Sequence, residues 1–122
     1  MKQSIELKNS DVLAALMLAK YHPTLIAVLR WFYKKYGVMF ITEGYRVALH
    51  PGDVHSTDPV RAADVRSHMF DNPYQVQDEI NAEWCYDSRR PQMMVCVYHG
   101  DTPESMHFHI QVHPNTQRRI KQ

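Results

Sequence analysis

Glu104-Ser105-Met106-His107-Phe108-His109-Ile110-Gln111-Val112-His113 alternates strictly. His107, His109, Gln111 and His113 fall on one side, and Met106, Phe108, Ile110 and Val112 on the other. A period of two predicts a half-buried β-strand, its apolar side on a core and its imidazoles in a row on an open face. Imidazole is the commonest metal ligand, and a strand holds alternate side chains at a fixed depth. The stretch therefore predicts a metal site built on a strand, and the remaining ligands have to come from elsewhere in the chain.

The 122 residues make one domain, long enough to bury a modest core without disulfides. A net charge of +1 and the absence of a basic stripe argue against a nucleic-acid surface. No apolar run has the length of a membrane span, and Met1 to Glu6 lacks the apolar core of a secretory signal. The expectation is a chain made in the cytoplasm, with neither membrane nor nucleic acid as partner. Eight histidines are many for this length, whereas the only cysteines, Cys85 and Cys96, form no Cys-x-x-Cys pair and read as small buried hydrophobes. A metal has to be held by imidazole and carboxylate.

Outward from the histidine strand, His99-Gly100-Asp101-Thr102-Pro103 is a tight connection. It predicts a hairpin with Met93–Tyr98, whose apolar residues on both faces suit a central strand. Asn72-Pro73 predicts a helix start, with Val76, Ile80 and Trp84 along one face to about Cys85. Ser10 caps a predicted helix to about Lys20. Pro23 opens another, with Leu25, Val28, Leu29 and Phe32 inward and Gly37 ending it. Val38–Thr42 reads as a buried strand, residues 47–59 as a loop, and Val60–Val65 as a strand that ends at Ala63-Asp64. Residues 1–9 read as extended, and from Pro114 the tail reads as frayed.

A catalytic zinc site takes three protein ligands and leaves one position open. His109 offers one ligand. His55, in the Pro/Gly-rich loop, and Asp64, at a strand end, are the best remaining pair. Glu104, just before the histidine strand, is suitably placed as the general base that takes a proton from water. His50 and His113 stand in reserve as ligands, and Tyr45 can line a pocket.

Gly44-Tyr45-Arg46, then His55 ahead of Arg61-Ala62-Ala63-Asp64, then Glu104 ahead of His107-Phe108-His109, resembles the zinc D-Ala-D-Ala carboxypeptidases. These share the hedgehog/DD-peptidase fold with L-Ala-D-Glu endopeptidases and hedgehog signalling domains. The resemblance spans residues 40–113. It implies a small α+β domain, an antiparallel sheet with helices packed on one side. It implies Zn2+ held by His55, Asp64 and a histidine of the last strand, with Glu104 as base and Arg46 on the substrate carbonyl or carboxylate. The implied reaction is hydrolysis of peptide bonds in peptidoglycan stem peptides, which fits a phage lysin.

The family pattern allows either His107 or His109 as the ligand. His109 is preferred here, leaving His107 to hydrogen-bond the developing oxyanion. The loop between His55 and Asp64 is longer than is usual in the family, with Val60 where a glycine is usual. A turn through Asp58-Pro59 absorbs the extra length. A non-catalytic metal-binding module on the same fold is the alternative.

Overall fold

The computed structural model describes residues 4–8, 20–44, 51, 53–55 and 57–119. Its elements, in order, are β1 (Ser4–Leu7), α1 (Pro23–Tyr36), β2 (Val38–Glu43), β3 (Ala62–Arg66), α2 (Pro73–Glu83), β4 (Trp84–Cys85), β5 (Cys96–His99), β6 (His107–Gln111) and β7 (Gln117–Arg118). The helix expected from Ser10 falls almost wholly outside the described residues.

The class is α+β, with two helices among the described residues. Strand order in the main sheet is β1-β2-β3-β6-β5. The sheet is mixed rather than antiparallel. β1 pairs parallel to β2, because α1 carries the chain back across the sheet between them, whereas the pairs β2–β3, β3–β6 and β5–β6 are antiparallel.

Each helix begins as its sequence dictates. Asn72 caps α2, its side-chain oxygen accepting from the Gln75 N–H at 3.2 Å, and Pro73 takes the first turn. His22 Nδ1 accepts from the Thr24 N–H at 3.1 Å to cap α1. Gly37 ends α1 with φ 78°, a left-handed conformation that disfavours any side chain.

Both helices pack on one face of the sheet. Leu25, Val28 and Phe32 of α1 and Val76 and Ile80 of α2 meet Met39, Ile41, Val65, Cys96, Phe108 and Ile110 of the strands. Phe32, Phe70 and Phe108 interlock edge to face, with ring centroids 5.7–6.2 Å apart. Burial of such a ring stabilises by about 2–3 kcal/mol. Phe108 and Ile110 are wholly buried while His107, His109 and Gln111 are not, so the alternation that predicted the strand also decides which face is open.

Two strands sit differently from expectation. The strand sought at Val60–Val65 is Ala62–Arg66, which moves Asp64 from a strand end to the middle of the central strand. Val60 instead makes an isolated parallel bridge with Tyr21, its N–H donating to the Lys20 carbonyl at 2.7 Å. Met93–Tyr98 is not a central strand. β5 lies at the sheet edge, and Met93 and Met94 are exposed. Val95 and Cys96 are buried because α2 covers that edge. The Asn81 amide donates to the Cys96 carbonyl at 2.9 Å and accepts its N–H at 3.0 Å, and Gln77 accepts the Tyr98 N–H at 2.8 Å. Side-chain amides thus satisfy a ladder that another strand would otherwise complete.

The tail does not fray at Pro114. β7 pairs with β4, Thr116 is buried, and Arg118 binds Glu83. Both cysteines are free thiols, and no described helix is long and apolar enough to cross a membrane.

Candidate metal centre

Asp64 and His109 are direct partners in the β3–β6 ladder, and His107 pairs with Arg66 one step along the same face. The shared pleat aims Asp64, His107 and His109 at one volume. His55 arrives from the loop. Its N–H donates to Asp53 Oδ1 at 3.0 Å, and the Arg61 N–H donates to the Val54 carbonyl at 3.1 Å, fixing the loop against the start of β3. The expected turn through Asp58-Pro59 is present, with a cis peptide bond.

Around Asp64 Oδ1 stand His109 Nδ1 at 3.1 Å, His55 Nε2 at 3.3 Å and His107 Nε2 at 3.6 Å. The second nitrogen of each ring fixes its tautomer. His55 Nδ1 lies 2.7 Å from the Gly44 carbonyl oxygen, and His107 Nδ1 lies 2.8 Å from that of Ser105. A carbonyl can only accept, so both nitrogens carry hydrogen. His109 Nε2 lies 3.1 Å from Gln111 Oε1, and Gln111 donates its amide N–H to the Met94 carbonyl at 2.9 Å. That bond orients the amide, so His109 Nε2 donates as well.

In their neutral forms all three imidazoles therefore aim a lone pair at a carboxylate oxygen. Lone pairs brought together in this way are satisfied either by protons on the ring nitrogens or by a metal ion between them. Two atoms bound at about 2.0–2.1 Å to a tetrahedral zinc lie roughly 3.3 Å apart, close to the 3.1 and 3.3 Å that separate Asp64 Oδ1 from His109 Nδ1 and His55 Nε2. A carbonyl or amide oxygen behind each ring is also the usual support of a ligating histidine.

His55, Asp64 and His109 form a group whose ligand atoms all lie within 4.8 Å of one another, and it can hold a metal ion. His55 is fully buried and Asp64 is 6% exposed, so the donors are held rather than free to swing. Burial alone would push the Asp64 carboxyl up. When the rings are protonated, hydrogen bonds from His109 and His55 and the charges of His55 and His107 outweigh it, holding the carboxyl well below the usual carboxylate range.

The group opens into a cleft of about 620 Å³, lined among others by Glu43, Asp53, Arg61, Tyr86, Met93, Val97, His99 and Gln111. No family model, curated protein or solved structure matches the chain.

The structure brings His55, Asp64, His107 and His109 together, as the order of motifs implied. Glu104 is exposed in a 3-10 turn over Pro103–Ser105. It lines an adjoining hollow of about 300 Å³ with Lys8, Arg66 and His68, and Glu43, Asp64 and His107 line both hollows. Tyr45, Arg46 and His50 lie outside the described residues. His113 is away from the group, its Nδ1 3.8 Å from Asp87.

Sequence reasoning gave His99 no role beyond opening the connection to the histidine strand. Its ring lies 4.7 Å from that of His107 and 5.9 Å from that of His109. Burial and the two neighbouring imidazoles lower its pKa, so it is neutral at neutral pH. The signal was the hairpin itself, since that register sets His99 opposite His107. Gln111 shares the open face of the histidine strand, but nothing in the sequence marked it or Asp53 as a support of His109 or His55.

Proposed function

We propose that this protein is a zinc-dependent peptidase that hydrolyses peptide bonds of peptidoglycan stem peptides on a hedgehog/DD-peptidase fold. The observation that carries the reading is the convergence of the His55 and His109 ring nitrogens on Asp64, in a group able to hold a metal ion, beside an open cleft. The donor set of nitrogen and carboxylate oxygen suits zinc. The order of the motifs, with Glu104 ahead of the histidine strand, supports hydrolysis of a peptide. A zinc ion bound there would supply Lewis acidity, to polarise a carbonyl and make water a nucleophile near neutral pH.

His55, Asp64 and His109 would hold the ion. His107, with Nδ1–H committed to Ser105, turns Nε2 toward the same volume and stands ready to hydrogen-bond an oxyanion once protonated. Glu104 takes the proton from water, approaching from the hollow that Asp64 and His107 also line.

One observation favours a second reading, a structural metal module. His107 Nε2, at 3.6 Å from Asp64 Oδ1, can serve as a fourth donor and close the open position. Digestion of purified peptidoglycan followed by mass analysis of the fragments separates the two. Zinc-loaded wild type is expected to release defined fragments, and Glu104→Ala to keep its zinc and release none. Stoichiometric zinc with no fragments from wild type favours the structural module. Fragments from Glu104→Ala at the wild-type rate remove Glu104 as the base.

A further inference from the structure

The cleft holds two imidazoles outside the group of His55, Asp64 and His109. His99 and His107 both line it. They are opposite residues of the β5–β6 ladder, so their side chains leave the same face of the sheet, with Cβ atoms about 4.5–5.5 Å apart. Their ring centroids stand 4.7 Å apart, with the planes at 54°. That spacing suits one shared ion. An imidazole bound at about 2.0–2.1 Å has its ring centre about 3.2 Å from the metal, so two imidazoles on one ion stand roughly 5 Å apart, centre to centre. His55 and His109, both in the first group, stand 5.2 Å apart at 61°.

Each ring has a nitrogen to offer. His107 gives its Nδ1–H to the Ser105 carbonyl at 2.8 Å, which leaves the Nε2 lone pair as its donor and braces the ring from behind. His99 is exposed, and its ring makes no hydrogen bond among the described residues. The ring can therefore turn about its last torsion and present a nitrogen to the neighbouring imidazole. His22 and His113 differ, because each spends Nδ1 as acceptor of a backbone N–H, of Thr24 and of Asn115.

We propose that His99 and His107 form a second site for a divalent transition-metal ion, filled by zinc in excess, and that its occupation inhibits the protein. Imidazole donors suit zinc, copper and nickel. With two protein donors against three, this site is weaker than the first, and water completes its coordination. An ion there takes the lone pair of His107 Nε2, and a nitrogen that binds a metal cannot also hydrogen-bond an oxyanion. The inhibition rests on the peptidase reading, but the binding is measured without turnover.

Protein already carrying one zinc is titrated with more zinc by calorimetry, and the imidazole nitrogens are followed by NMR. Wild type is expected to take a second, weaker ion that shifts the ring nitrogens of His99 and His107 together. His99→Phe keeps a ring against His107 and removes both nitrogens. It is expected to keep the first ion and to lose at least about tenfold in affinity for the second. A wild type that takes up only one ion overturns the site. So does wild-type affinity for the second ion in His99→Phe, or a shift confined to other histidines. In the peptidoglycan digest, excess zinc should slow wild type and spare His99→Phe, and equal slowing of both overturns the inhibitory role. If the second ion binds through His99 and no fragments appear at any zinc level, the second site stands and the peptidase reading falls.

Discussion

Removing one imidazole should abolish the stabilisation that zinc confers. The donors are already assembled in the folded chain, with His55 fully buried and Asp64 and His109 opposite one another in a ladder, so little ordering opposes binding. The unfolded chain has no such arrangement, and metal affinity therefore appears as folding stability. At free zinc a thousandfold above Kd the gain is about 4 kcal/mol. For a domain of this size that raises Tm by roughly 12–20 °C. His109→Ala deletes one of the three donors, and with it the contacts to Asp64 and Gln111. Its zinc-dependent shift should fall below about 3 °C at the same free zinc. Scanning calorimetry of metal-stripped and zinc-loaded samples, with metal content measured on each, reads both quantities. A wild-type-sized shift in His109→Ala, or a wild type that takes up zinc with no gain in Tm, would mean that the ion is held elsewhere.

Three further outcomes follow from particular contacts. Gln111→Leu removes the acceptor behind His109 and should weaken zinc binding about 10–100-fold in a chelator competition, whereas Gln111→Glu keeps an acceptor and should bind more nearly as wild type does. Gly100→Ala puts a Cβ 2.6 Å from the Ser105 carbonyl group, backbone that cannot move aside cheaply. It should cost about 1–3 kcal/mol in chemical denaturation, and an unchanged midpoint would contradict the close packing of the hairpin turn. Asp87 is held below the usual carboxylate range by the Arg89 backbone N–H, against burial and with help from Asn115, Arg89 and His113. A depressed folded pKa means that its stabilising effect is complete above the ordinary value of 3.8 and is lost as pH falls toward the folded value. Asp87→Asn should therefore flatten the acid limb of the stability profile, and identical acid limbs for wild type and variant would refute the assignment.

Local chemistry determined much of this protein before any tertiary contact was known. The alternation at 104–113 set the strand, its buried face and its row of imidazoles, because side-chain direction in a strand depends only on parity. Asn72-Pro73 and Gly37 set helix ends, because capping and left-handed backbone are properties of single residues. The pairing of His55, Asp64 and His109 was legible from residue type and motif order. Tertiary structure alone decided the rest. Asp64 belongs to a central strand because β2 and β6 flank it, and Met93-Met94 are exposed because α2, not another strand, seals the β5 edge. The tautomers that turn three rings toward one carboxylate depend on the carbonyls of Gly44 and Ser105 and the amide of Gln111. Backbone carbonyls have no signature in sequence, and the direction of a side-chain amide follows from partners that only folding brings near.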